Sequence, residues 1–459
     1  MDVALDEDGD LVYGIGTGGA AGEVYLLSGL AGWVAQKIEN PDSSAGSAYS
    51  FVGGVLAMAF SPNFGEDDTV FAIVEGTAPM DAGGEGTHLR AETDTTVHNW
   101  GSFIQDAHFI DTTTVPNCYL QATRASMAFA DDFNSVPAVF VGLVANTWDA
   151  PLGDAFRVDL VKGSIGASPA EDLDILNPNT GINVYSIDVA GPASSAYILA
   201  GINELSNDGP MSTWQGQVHY SANGGETWLQ SYKPPSGMSV KETAATVLMA
   251  PGFDPSDEAA KAYCSNGYLG RSADLTFSGF YVSTTFGTTW NGRGLLDHTI
   301  DSTRGDCIED IVPSPDYDND STLFMVTNSS TSPTTKIGLL WETKDGGSKW
   351  ELILGMTTMI PLPGVHIDKI AIPATYPDEP EIFVAGRLAV APASPTGLIV
   401  RSTDEGNLFA TTLKAPYDAA VPQVIDSWVV FDQNTLIVAS GSNIWKTTDM
   451  GAHWKLPTM

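Results

Sequence analysis

The chain has 459 residues, 43% of them hydrophobic, with 47 Gly and 27 Pro scattered along it, which fits one large all-β domain or two or three smaller ones. Its formal charge of −36 arises from a shortage of bases, 20 Lys and Arg against 56 Asp and Glu. Such a surface repels phosphate backbones and anionic lipid, which argues against nucleic-acid binding and electrostatic membrane docking.

No run of 18 apolar residues is present, so no segment reads as a membrane-spanning helix, and direct membrane insertion is not expected. The opening "MDVALDEDGD" lacks the basic and apolar regions of a signal peptide, so the chain reads either as cytosolic or as a mature or trimmed portion of an exported protein. Cys118, Cys264 and Cys307 are far apart and in no metal-ligand spacing, and all three read as buried thiols.

In chain order, the first unit, "VALDEDGDLVYGIGTGGAAGEVYLLSGLAGWVAQ", reads as four short strands joined by turns. The next units open on an apolar strand, a Pro- or Asp-rich turn and a second apolar strand: "AMAFSPNFGEDDTVFAIV" and "SMAFADDFNSVPAVFVGL", and further on "EDIVPSPDYDNDSTLFMV" and "DKIAIPATYPDEPEIFVA". In these four the turn aromatic (Phe64, Phe133, Tyr317, Tyr376) precedes a strand aromatic (Phe71, Phe140, Phe324, Phe383) by seven residues. Two looser units, "VYSIDVAGPASSAYILAG" and "ATVLMAPGFDPSDEAAKAYCS", and a shortened C-terminal one complete the series. Four strands per unit at this period predict the blade of a β-propeller. The expected blades are 1–50, 51–115, 116–180, 181–237, 238–300, 301–362, 363–420 and 421–459, eight in one domain, with seven as the alternative.

A second series runs through the later units and ends on Trp228, Trp290, Trp350, Phe409 and Trp454, at steps of 62, 60, 59 and 45 residues. Its members are Ser221, Asn223, Gly225, Thr227, Trp228; Ser283, Thr285, Gly287, Thr289, Trp290; Thr343, Asp345, Gly347, Lys349, Trp350; Ser402, Asp404, Gly406, Phe409; and Thr447, Asp449, Gly451, Trp454. These stretches resemble the Asp-box, or BNR repeat, S-x-D-x-G-x-T-W. The residues read as a hairpin staple. The Asp or Asn accepts backbone N–H bonds two or three residues ahead, the Gly supplies a positive φ, and the aromatic packs between blades. Asn223 and Thr285 stand where a catalytic carboxylate would be needed, so the repeat is read as scaffold.

The resemblance implies a fold similar to that of sialidases, xyloglucan hydrolases, sortilin-type receptors and photosystem assembly factors, without their functional residues. Eight arginines with none in the first unit do not supply a sialidase triad, and three cysteines do not build a sortilin-type Cys-rich module.

Carboxylates supply the remaining candidates. "HTIDSTRGDCIED" places Asp306 and Glu309, with Asp301 and Asp310, ahead of the first strand of the sixth unit, on a connection expected to line the ring's mouth, where a pair could do glycosidase acid/base work. "PDYDNDST" spaces Asp316, Asp318 and Asp320 at alternate positions like the first half of a calcium loop, with no closing bidentate Glu. No cofactor is required by this reading, and Ca²⁺ is the one metal it accommodates.

The functional expectation is a non-enzymatic extracellular or cell-surface propeller, similar to a surface-layer protein, that acts by self-association, contact with other surface proteins or glycan binding. The alternative is a glycoside hydrolase or lyase acting on an extracellular polysaccharide through the channel-mouth carboxylates. For the first, no catalytic residue is expected.

Overall fold

A computed structural model describes residues 3–36 in part, 55–74, 87–92, 107–111, 118–145, 153–160, 170–176, 182–203, 217–235, 244–266, 279–295, 306–329, 338–354, 365–388, 396–418, 421–430 and 434–455, with short breaks within some runs. Among them, seven antiparallel sheets of four strands and an eighth of three follow one another along the chain, each in the order of its sequence. In the sixth, for example, the strands are Asp306–Pro313, Leu323–Ser329, Gly338–Thr343 and Glu351–Leu354. The eighth gains a bridge between Lys446 and Lys455 in place of an outer strand.

First strands of successive sheets pack together: Val55–Phe60, Ala122–Phe129, Asn183–Ala190 and Ala244–Met249 in one run, and Asp306–Pro313, Val365–Ala371 and Ser427–Val430 in another. Val3–Leu5 lies beside both Val55–Phe60 and Ser427–Val430, which joins the last sheet to the first. The fold is a β-propeller, with these first strands innermost.

There is no single central core among the described residues. Each apolar cluster is shared by two successive sheets. Phe140 and Leu173 of the third pack with Val184 and Ile198 of the fourth, and Phe280 of the fifth packs with Met325 and Trp341 of the sixth. Second strands are therefore covered on both faces. Every residue of Ala138–Ala145 is buried, which explains an uninterrupted apolar run where a half-exposed strand would alternate. Cys264 is a buried free thiol in one such layer, and burial pushes its ionisation far up. The side chains of Cys118 and Cys307 lie outside the described residues.

The recurring turn joins the third strand to the fourth. Its first hydroxyl accepts the glycine N–H four residues on: Ser221 from Gly225 (3.0 Å), Ser283 from Gly287 (2.8 Å), Thr343 from Gly347 (3.1 Å), Ser402 from Gly406 (2.9 Å) and Thr447 from Gly451 (2.9 Å). The second polar residue accepts an N–H four residues on, one beyond the two or three expected from sequence, and Asp345 accepts the expected bond from Ser348 N–H (2.9 Å) as well. The bonds are Thr227 to Asn223 (3.0 Å), Thr289 to the Thr285 hydroxyl (2.9 Å), and Lys349 to Asp345, Leu408 to Asp404 and His453 to Asp449 (2.9 Å each). Thr285 thus performs the carboxylate's task.

The closing aromatic reaches the preceding sheet. Trp228 donates its indole N–H to the Leu173 carbonyl (2.9 Å), and Trp350 meets Phe280 edge-on at 4.9 Å. The glycine is needed for two separate reasons. Gly347 has φ +86°, and a Cβ there would stand 2.8 Å from the Phe280 ring of the neighbouring sheet. Gly191 has almost the same φ, +85°, with nothing within 4 Å.

These two glycines separate backbone strain from collision. Gly191→Ala is expected to lower stability by about 1 kcal/mol, whereas Gly347→Ala adds overpacking at a sheet-to-sheet seam and should lose about 2–4 kcal/mol. Urea denaturation of the two variants checks this, and equal losses would contradict it.

Candidate functional site

Antiparallel order within each sheet gives the ring two unlike faces. Turns between first and second strands share a face with the recurring turns, and the two kinds are bonded together: Gly346 donates to the Ser321 carbonyl (2.9 Å), Gly224 to Ala196 (3.0 Å) and Met450 to Asn434 (3.0 Å). The starts of the innermost strands lie at the opposite face.

The acidic turn of Asp316, Asp318 and Asp320 is on the stapled face. Residues Tyr317–Asp320 form a single helical turn, and both Asp320 carboxylate oxygens are used within it, one accepting from the Ser314 hydroxyl (2.6 Å) and one from the Thr322 N–H (2.7 Å). Asp67 of the second sheet does the same with Ser61 (2.6 Å) and Thr69 (2.9 Å). The acid at this point is a turn-closing group that recurs. Among the described residues no three His, Cys, Asp or Glu side chains are gathered as a metal would require.

Asp449 is also on the stapled face. Its second oxygen meets His453 Nδ1 at 2.6 Å, and that bond, with the His453 and Thr447 hydrogen bonds, holds its carboxyl down to about 2. The recurring-turn residues Ser221, Asn223, Ser283, Asp345 and Asp404 are likewise occupied by their own hairpins.

The starts of the innermost strands are different. Six of them carry a β-bulge, at Leu56, Thr123, Tyr185, Ala245, Glu309 and Asp368. In five strands the bulge falls eight residues before the same position of the following turn (Phe64, Ala193, Phe253, Tyr317, Tyr376), so it recurs at one level of the ring. A bulge turns the next side chain out of the buried pleat and re-aims it. At that next level stand Ala57, Ser126, Ser186, Thr246, Asp310 and Lys369, all half-buried. Two residues deeper the same face carries Ala59, Ala128, Asp188, Leu248, Val312 and Ala371, a level that is apolar except at Asp188. On the third sheet the bulge comes two residues earlier, and Arg124 lies one pleat nearer the strand start, its guanidinium 5.7 Å above the Tyr185 ring.

Asp306 and Glu309 share one innermost strand: Asp306 pairs with Ser329 at its start and Glu309 occupies the bulge. Their side chains lie outside the described residues. Asp368 takes the equivalent position on the next sheet, 3.2 Å from His366 Nε2. Sequence reasoning anchored on the recurring turns did not single out Arg124, Tyr185, Asp368 or Lys369. The constant spacing from the bulge to the turn aromatic, as in Glu309 to Tyr317 and Asp368 to Tyr376, is the signal that would have found them.

Between the fourth and fifth sheets polar side chains lock one innermost strand to the next. The Ser186 hydroxyl accepts from Val247 N–H (3.2 Å), and Asp188 accepts from Met249 N–H (2.6 Å) and its neighbour Val189 (2.9 Å). Burial raises the Asp188 carboxyl to about 6 despite those two bonds. Because the folded value lies above the ordinary 3.8, the folded state binds the proton more tightly than the unfolded one. This group therefore favours folding below that range and disfavours it as pH rises through 6. Asp188→Asn should flatten the stability profile between those two values, whatever its effect on the overall level. Thermal melts at successive pH values test this, and an unchanged slope would refute it.

No family model and no curated protein sequence matches this chain. Solved structures do. A GH74 xyloglucanase from Xanthomonas campestris aligns at 16% identity over 87% of this chain and 52% of its own, with a TM-score of 0.49. YCF48 bound to a D1 peptide aligns at 12% identity over 77% and 83%, with a TM-score of 0.41. An α-L-arabinofuranosidase from Fusarium graminearum aligns at 14% over 60% and 80%, with a TM-score of 0.37. The chain spans about half the length of the xyloglucanase. These are likenesses of architecture and assign no activity.

Proposed function

We propose that this protein is a carbohydrate-directed propeller that takes a glycan at the strand-start end of its channel and cleaves it. The observation that supports this reading is the repeated bulge, which aligns polar side chains from successive sheets at one level of the ring. A hydroxyl (Thr246), a carboxylate (Asp310), an ammonium (Lys369) and the Tyr185 ring form a set suited to sugar hydroxyls, which both donate and accept. Glu309 and Asp368, at equivalent bulges of adjoining sheets, are the carboxylates that would act as acid and base or nucleophile. Propeller glycoside hydrolases are among the solved structures similar in fold, and this proposal extends their kind of activity to this chain.

Reducing-sugar release from a panel of plant and bacterial polysaccharides is the assay. Turnover is expected on at least one, with a loss of at least a hundredfold in Glu309→Gln and in Asp368→Asn at unchanged melting temperature. No turnover on any member of the panel removes the hydrolase.

Binding without turnover is the second reading, favoured by the −36 charge, which reflects few bases rather than an acidic tail. In it the recurring turns are Asp-boxes of a non-enzymatic surface protein, one that assembles with itself or other envelope proteins, with Ca²⁺ bridging acidic surfaces. Light scattering should then show assembly that rises with protein concentration and Ca²⁺ and reverses with EDTA. A particle that stays monomeric throughout excludes this second reading.

A further inference from the structure

We infer that the glycan taken at the bulge level is an acidic one, and that Arg124 receives its carboxylate. This rests on the carbohydrate reading above and adds the substrate's charge to it. The chain holds only eight arginines, and with 56 acidic residues to 20 basic ones a guanidinium would ordinarily find a carboxylate nearby. Arg157 pairs with Asp159, and Arg401 with Glu381. Arg124 is exposed, and no Asp or Glu among the described residues lies within ion-pair distance of it.

What holds it is an aromatic face, the Tyr185 ring of the next innermost strand, 5.7 Å away. Cation–π contact orients the guanidinium plane and leaves its N–H fork unspent, and that fork matches a carboxylate in bidentate geometry. Arg124 is the residue that follows the shifted bulge of the third sheet, and Tyr185 is the bulged residue of the fourth.

The surroundings fit a sugar acid better than a peptide or a polyanion. Thr123 and Ser186, next to the pair in sequence, spend their hydroxyls on the Val144 carbonyl and on Val247, so the Tyr185 ring and the Arg124 fork are the groups presented there. Lys369, also without an ion-pair partner among the described residues, stands on the seventh sheet, with three of the described sheets between it and the third in either direction. Asp368 precedes it in sequence, and Asp310 takes the corresponding position on the sixth sheet. A densely charged chain would meet these carboxylates and the negative field of the whole protein, while an oligosaccharide with one carboxylate per ring presents its charge to Arg124 and its hydroxyls elsewhere.

Isothermal titration of the full chain with tetragalacturonic acid, its methyl ester, a neutral xyloglucan oligosaccharide and a tetraglutamate peptide tests the assignment. The expected order is the acid roughly tenfold or more above its methyl ester, a difference of one charge-assisted contact. Arg124→Gln should abolish that preference, and Arg124→Lys should keep part of it, with melting temperatures unchanged because the side chain is exposed. A preference that survives Arg124→Gln, or equal binding of the acid, its ester and the neutral oligosaccharide, overturns the acidic-sugar inference and leaves the carbohydrate reading standing. Tetraglutamate binding as tightly as the sugar acid assigns the site to peptide carboxylates and overturns it as well. Binding of no sugar at all overturns both.

Discussion

The contact on which this molecule depends is the seating of one sheet's hairpin turn against the face of the sheet before it. Four of the five recurring turns place a glycine where a side chain would collide with its neighbour: Gly225 against Leu173, Gly287 against Leu199, Gly347 against Phe280 and Gly406 against Ile353. The closing aromatic then covers the same seam. Since the apolar clusters are shared between sheets, no sheet has a core of its own, and the turn decides how closely two sheets approach. Propeller geometry follows from repeating that approach distance around a ring.

The turn closes without requiring a carboxylate. Its logic is two acceptors for two backbone N–H groups, each four residues downstream, and a hydroxyl serves as well as an acid, as Thr285 shows with bonds of 2.7 Å to the Thr289 hydroxyl and 2.9 Å to its N–H. The residue before each glycine is also left-handed, and only two of the five are glycine there. Phe286, Glu405 and Met450 accept φ values of 53°, 55° and 58°. Such a conformation in a non-glycine residue persists where surrounding bonds over-determine it. Here the two acceptors on either side supply those bonds, which is why sequence identity in the turn can drift while its shape does not.

The sheet order was legible in the sequence because the repeat is written in local chemistry: a turn aromatic seven residues before a strand aromatic, and a glycine four residues after a Ser or Thr. The roles of single carboxylates were less legible. Asp316, Asp318 and Asp320 have the spacing of a ligand loop, but a helical turn there directs Asp320 back onto Ser314 and Thr322. The candidate site was readable only in part. Asp306 and Glu309 stood out as a carboxylate-rich run, while Arg124, Tyr185 and Asp368 are separated by at least one whole sheet repeat and share nothing but their offset from a bulge. A bulge has no residue signature comparable to a glycine at positive φ, so its position emerges only when strand pairing is known.

The bulge level also bears on how such a protein changes over time. A bulged residue is already outside the regular hydrogen-bonded ladder. Replacing it therefore leaves the strand pairing in place. Leu56, Thr123, Tyr185, Ala245, Glu309 and Asp368 differ as widely as side chains can, on strands of nearly one shape. The ring thus resembles a lock whose pins can be cut one at a time: specificity can be rewritten residue by residue while the pairing of the strands stays as it is.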